Sequence, residues 1–338
     1  MKAFEQFIIG NLALKNRFVM APMCMYSAKN DGLVTDFHLT HYETRAIGGV
    51  GLIIVEATAV NPMGVISEGD LGIYNDQQVV GLTKLVKRIH AHNTKIGIQL
   101  GHAGRKYGGS IKAAYAPSAI AFDKDHLIPT ALSEVAINGI IDDFVAAAKR
   151  AEKAGFDMIE IHAAHGYLIH EFLSPLTNHR DDQYGGSLEN RVRFLKTILA
   201  KIKQAISPKI ALTMRVSASD YVEGGLDCQQ MIAIVNLVKP YLDLVHVSSG
   251  GLVPVEITSY PGYQVNFAEQ IKHNCEIPVI AVGKLEHPAL ITEILNNERA
   301  DLIALGRGLL REPYFVLNLA KKYQINFPYP TQYKRSFY

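Results

Sequence analysis

Apolar and polar positions along this chain keep two alternating rhythms: short, nearly continuous apolar runs, and longer stretches in which apolar side chains recur every three or four positions. The runs near Arg17 to Met20, Leu52 to Glu56, Lys95 to Leu100, Met158 to His162, Ile210 to Val216, Leu244 to Ser248, Val279 to Val282 and Leu302 to Leu305 read as buried strands. Helical spacing lies between them, as in Asp76 to His92, Ile140 to Ala154, Leu188 to Ala205 and Met231 to Val238. The third of these is announced by Gly185, Gly186 and the N-cap candidate Ser187. Eight strand-helix units in this order predict an α/β fold, a TIM (β/α)8 barrel, as one domain over 1–338. A doubly wound open sheet is the alternative, but no GxGxxG follows the first strand.

Such a barrel needs about 250 residues. The surplus falls in Gly101 to Ser133, Ala163 to Ser187 and the tail after Lys322, and the first two loops would cover the carboxyl ends of strands three and four. Within strands, the period of two decides what points inward. Ile96, Ile98 and Leu100 oppose Gly97 and Gln99, and Leu212, Met214 and Val216 oppose Thr213 and Arg215, so Gln99 and Arg215 should face the barrel interior. A buried guanidinium is costly without anionic or carbonyl partners, so Arg215 calls for a bound group or an acid. The same alternation puts Glu160 on one face with His162, where the two could pair.

Strand four ends in His162, His165 and Tyr167. Two neutral imidazoles, each offering one N–H, suit negative charge developing on a carbonyl oxygen, and a phenol suits protonation of a carbanion or enolate. Two other readings stay open: that the three groups satisfy one another, or that the histidines bind zinc, for which no third ligand is evident. Past strand seven stand Ala281, Val282, Gly283 and Lys284, and past strand eight Gly306 and Arg307, where barrels of this type often hold a phosphate. Turn glycines beside solvated charges would look the same. A phosphate-binding aldolase or isomerase would also use these features, though no Schiff-base lysine or catalytic carboxylate stands out at a strand end.

Composition narrows the partners. Apolar residues make up 48% of the 338, charged residues 20%, and the net charge is only +2, which supplies a large core and no basic surface for nucleic acid or an anionic membrane. A small-molecule partner is expected. The start, MKAFEQFIIG, does not read as a signal peptide and no run approaches the roughly 18 apolar residues of a membrane span, so a cytoplasmic protein is expected. Cys24, Cys228 and Cys275 lie too far apart for a disulfide framework or a metal-ligand set, which predicts a reducing compartment and no structural metal. The tail INFPYPTQYKRSFY, with Phe327, Tyr329, Tyr333, Phe337 and Tyr338, is too aromatic to be left in solvent and should pack on something.

Six separated segments in barrel order carry a likeness: LKNRFVMAPMCMYS, HYETRAIGGVGLIIVEATAV, IGIQLGHAGRK, EIHAAHGYLIHEFLSPLTNHRDDQYGGSLENR, MRVSASD and ADLIALGRGLLREP. Together they resemble the Old Yellow Enzyme family of FMN-dependent ene-reductases, from Leu14 to the C-terminus. The cysteine in PMCMYS and the C-terminal QYxR look like the bacterial, thermophilic-like NADPH dehydrogenase subclass. The resemblance implies that Ala21, Pro22, Met23 and Cys24 line the flavin, that Ala57 and Gln99 meet its pyrimidine edge, and that Arg215 sits by N1 and the C2 carbonyl. Gly283, Gly306 and Arg307 would take the phosphate. By the same resemblance His162 and His165 bind the carbonyl of an unsaturated substrate, Tyr26 lines the pocket, Tyr167 donates the proton, Cys24 tunes the flavin and NADPH is the reductant. It also implies a homodimer or homotetramer in which the extension 323–338 lies at an interface and Arg335 reaches a neighbouring subunit's site. A flavin-bearing redox sensor that uses Cys24 is the non-enzyme alternative.

Overall fold

A computed structural model describes residues 1–337. Eight parallel strands form the centre: β1 (Phe18–Met20), β2 (Leu52–Ala59), β3 (Lys95–Gly101), β4 (Met158–Ala163), β5 (Ala211–Ser217), β6 (Leu244–Ser248), β7 (Val279–Ala281) and β8 (Leu302–Leu305). Each pairs with the next, and Ile303 to Leu305 of β8 pair with Phe18 to Met20 of β1, closing a TIM barrel. Around it run α1 (Asp36–Ile47), α2 (Asp76–His90), α3 (Glu134–Ala154), α4 (Leu168–Leu173), α5 (Leu188–Ala205), α6 (Cys228–Val238), α7 (Val265–Cys275), α8 (Pro288–Asn296), α9 (Arg307–Arg311) and α10 (Phe315–Lys322). The expected strands and helices are all present.

Their ends follow local chemistry. Ser187 accepts the Asn190 N–H and starts α5 where the sequence put it, while α3 begins earlier than expected because Ser133 caps it through the Ala136 N–H. Gly155 then ends α3 in the left-handed region, at φ 93°. β2 runs on to Ala59 through a bulge between Val55 and Ala57, and the extra residue turns Glu56 out of the barrel toward α1.

The strand period of two sorts the core into two compartments. One set of side chains packs between strands and helices; the other, Val19, Leu52, Ile54, Met158, Leu244, Ile280 and Leu302, fills the lower barrel. A hairpin, Phe7–Ile9 with Leu12–Leu14, closes this lower end by adding Ile9, Leu12 and Leu14 to the same cluster. The reading by runs passed over it because each strand has three residues, although Gly10-Asn11 between apolar positions is a hairpin signal.

The aromatic tail packs on its own chain. Phe327 meets Phe4 edge-on at 5.5 Å, Tyr329 stacks on Phe337 at 4.1 Å, and Lys321 Nζ donates to the Ser336 carbonyl. Arg335 remains exposed, and Tyr338 lies outside the described residues. Among the described residues no helix is long and apolar enough to cross a membrane.

Candidate active site

Above the apolar plug the inward positions turn polar. Gln99, Glu160, Thr213, Arg215 and His246 are all buried there, on the neighbouring strands β3 to β6. Glu160 is the hub: it accepts from Gln99 Nε2 at 2.8 Å and from His246 Nδ1 at 2.9 Å. The expected pair with His162 does not form, because Glu160 lies one inward step below His162 and level with Gln99 across the β3–β4 ladder. Arg215 lies beside His162 on one side and His246 on the other. Glu160 supplies its nearest negative charge, yet its buried Nε has no hydrogen-bond partner among the described residues. A cation so placed is built to receive an electron-rich group from above.

The three donors past β4 do come together. The His162 ring meets His165 at 5.2 Å and Tyr167 at 4.8 Å, both edge-on, and His162 Nε2 stands 3.5 Å from His165 Nδ1. Desolvation, then the Arg215 charge, holds both imidazoles well below their ordinary pKa, so both are neutral. Burial likewise pushes Tyr167 up, keeping its proton in place. The turn that carries them is tight: His165 and Gly166 are both left-handed, at φ 58° and 71°, and a Cβ on Gly166 would stand 2.2 Å from the Gly251 carbonyl oxygen. Its backbone is tied from three directions. Ser217 Oγ accepts the His165 N–H, His170 Nδ1 accepts the Gly166 N–H, and Lys106 Nζ donates to the His165 carbonyl at 2.8 Å.

The segment after β1 forms another wall. Ala21 and Pro22 are buried, Met23 and Cys24 half-buried, and Tyr26 is 55% exposed at φ 50°. Glu56 holds this segment by accepting the Met25 N–H at 2.7 Å and the Tyr42 hydroxyl at 2.9 Å. Cys24 is pushed up to about 12, chiefly by burial and then by Asp70 and Glu56, so it stays a thiol and is not an activated nucleophile. Ala57 lines a small pocket with His102, His162 and Tyr167. A wider depression of 760 Å3 between Glu43, Val79 and Lys153 lies on the outer helical face and holds none of these groups.

At the end of the chain Gly283 and Gly306 follow the paired strands β7 and β8, and Arg307 begins α9. A Cβ on Gly306 would stand 3.5 Å from Met23 Sδ, so the expected phosphate end and the β1 wall adjoin. The one expected site residue not brought here is Arg335, which lies exposed in a 3-10 turn of the tail. Ser217, Ser248, His246 and Lys106 were missed. Ser217 follows from extending the strand alternation of Arg215 by one inward step, and His246 and Ser248 from extending that of Leu244 by one and two; Lys106 ends a single 3-10 turn, too short to show a period.

These residues fit a flavin mononucleotide: an unpaired buried guanidinium nitrogen and a fixed Gln99 amide for a polar ring edge, small Ala21 and Ala57 beside it, and a glycine-rich turn with Arg307 for a phosphate. Comparison with known proteins agrees. The NADH:flavin oxidoreductase / NADH oxidase family model matches residues 2–326. An NADPH dehydrogenase of Clostridium acetobutylicum is 54% identical over 338 residues, covering all of both chains, and one of Bacillus subtilis is 50% identical, covering 99% of each. Among solved structures, morphinone reductase in complex with tetrahydroNAD superposes with a TM-score of 0.82 at 28% identity over 100% of this chain and 94% of its own. A 2-naphthoyl-CoA reductase gives 0.90 at 25% identity over 95% of this chain and 52% of its own. The chain is therefore an FMN-dependent oxidoreductase and belongs to the NADH:flavin oxidoreductase / NADH oxidase family, in which the Old Yellow Enzyme proteins stand.

Proposed function

We propose that this protein is an NADPH-dependent ene-reductase acting on α,β-unsaturated carbonyl compounds. One observation carries the reading: two imidazoles kept neutral by burial converge within 3.5 Å beside a protonated phenol, at the open end of a barrel that presents an unpaired guanidinium. FMN, held by these residues, would supply the hydride-transfer chemistry between NADPH and the β-carbon of the alkene. His162 and His165 hold the carbonyl oxygen and stabilise the enolate charge as it develops there. Tyr167 gives its proton to the α-carbon; an enolate is basic enough to take a proton from a phenol whose own acidity burial has lowered. Arg215 would favour electron density on the flavin's pyrimidine edge, with Gln99 and Ala57 there to hold it. Ala21, Pro22, Met23 and Cys24 would line the flavin, Gly283, Gly306 and Arg307 would hold its phosphate, and Tyr26 would border the substrate. The names of the relatives at 54% and 50% identity support NADPH as reductant.

A homodimer or homotetramer completes the site when Arg335, solvent-facing within its own chain, enters the pocket of a neighbour through the segment 323–338. A chain ending at Gln332 would then lose both its oligomeric size and its affinity for the alkene. The three unpaired cysteines suit a reducing cytoplasm.

The test is colour and turnover together. Anaerobic NADPH should bleach the yellow holoprotein, and cyclohexenone should restore the colour with one alkene reduced per flavin. Bleaching without recovery would leave the redox-sensor reading, and a colourless protein would exclude both.

A further inference from the structure

The donor pair raises a question of tautomers. A neutral imidazole has one N–H, so two histidines can serve one oxygen only if each turns its single hydrogen toward it. For His162 the matter is settled locally: its Nδ1 accepts the Ala164 backbone N–H at 3.3 Å, so Nε2 carries the proton and faces His165. His165 presents Nδ1 to His162 and therefore to the same oxygen, and its Nε2 stands 2.8 Å from Ser248 Oγ. What Ser248 does with its one hydroxyl hydrogen decides which nitrogen of His165 is protonated.

Two arrangements are open to that hydrogen. Pointed at Gln264 Oε1, 3.2 Å away, it leaves Ser248 Oγ as an acceptor, and His165 becomes the Nε2–H form with a bare Nδ1 facing the substrate. Pointed at His165 Nε2, it leaves that nitrogen unprotonated and puts the hydrogen on Nδ1. The surroundings favour the second. Gln264 is held in one amide orientation by its Nε2–H to the Val282 carbonyl at 3.1 Å, and its Oε1 already accepts from Ser249 Oγ at 2.7 Å. The Ser249 hydrogen is committed there because the oxygen of Ser249 takes the Tyr221 hydroxyl at 2.8 Å. Gln264 thus keeps its carbonyl satisfied without Ser248, and the shorter contact runs to His165.

We propose that Ser248 is a positioning residue: by donating to His165 Nε2 it holds His165 as the Nδ1–H tautomer, so that His162 Nε2–H and His165 Nδ1–H point at one oxygen. With no oxygen there, the two N–H groups face each other across 3.5 Å and the other arrangement competes; an oxyanion removes the conflict and selects the two-donor state. Ser248 is 4% exposed on β6 and Gln264 2% exposed beside α7, so solvent cannot substitute for either. The inference rests on the reading of His162 and His165 as a carbonyl site.

Ring 15N shifts of His165, read in histidine-labelled holoenzyme with 4-nitrophenolate as the oxyanion probe and assigned by His165→Asn, test it directly. Wild-type protein with bound probe should show a protonated Nδ1. Ser248→Ala should move the proton to Nε2, weaken the phenolate about tenfold, and raise the KM for cyclohexenone, while Ser248→Thr restores all three. If Ser248→Ala does not fold, Ser248→Cys, whose thiol is a weak donor, makes the same comparison. Unchanged ring shifts and phenolate affinity in the hydroxyl-free variant would overturn the assignment. A wild-type enzyme that reduces no alkene, while its variant still moves the His165 proton, would instead sink the ene-reductase reading and leave Ser248 in its role.

Discussion

The lower and upper halves of this barrel are built from the same eight strands and the same inward alternation, yet they hold opposite chemistry. Below, Leu52, Ile54, Met158, Leu244 and Leu302 interlock with the hairpin's Ile9, Leu12 and Leu14. Above, two to four residues farther along β3, β4, β5 and β6, the inward places go to Gln99, Glu160 and His162, Arg215, and His246. The contrast separates two tasks. The apolar half fixes strand positions through packing, and the polar half spends that rigidity on holding charged and hydrogen-bonding groups where water cannot rearrange them.

If that division is sound, substitutions in the two halves should fail differently. Replacing His162 and His165 together by Ala should give the largest effect, lowering kcat/KM for an enone by about 10⁴-fold, since each lost oxyanion donor costs about 3 kcal/mol. The melting temperature should stay close to that of the parent; a collapse in stability would blur the division. Tyr167→Phe should lower the alkene half-reaction by about 10²-fold, the low end for general acids, because the exposed Tyr26 side leaves water a route to the α-carbon. Full turnover in single-mixing kinetics would remove Tyr167 from the mechanism. In the lower half, Ile54→Val should cost about 1 kcal/mol in urea unfolding while kcat per folded molecule holds. A drop in kcat without a loss of stability would show the plug to be part of the site.

Smaller effects sharpen the electrostatic part. On the proposed reading of Cys24, Cys24→Ala should shift the flavin reduction potential measurably and leave the fold intact, because it would remove a neutral thiol from the wall facing the flavin; an unchanged potential would deny Cys24 that task. The pH profile of kcat/KM should show no histidine limb between pH 8 and 6. His162 and His165 have pKa values lowered well below 6.5, so their neutral forms persist across this range and are lost only in stronger acid. A midpoint near 6.5 would mean that water reaches the donors.

The barrel, and the gathering of polar residues at its upper end, could be read from the residues, and the reason is physical. Strand alternation and helix period are written into every turn of chain, so Arg215 and Gln99 were placed inward before any coordinates. Glu160 was placed on the right face but given the wrong partner, because period fixes the face of a side chain while register between strands decides its neighbours. Lys106 and the three-way anchoring of the His165 turn escaped notice for a different reason: they rest on backbone groups, the His165 carbonyl and the His165 and Gly166 N–H groups, which almost every residue possesses. The bulge at Glu56, likewise, leaves no mark in a continuous apolar run.

The hairpin at the base has a consequence for timing. Because Ile9, Leu12 and Leu14 stop the barrel from below, the ene-reductase proposed above would admit both reductant and alkene through the upper rim. On that reading the two would take turns, each visitor leaving before the next arrives, and an excess of either should slow the other simply by standing in the way.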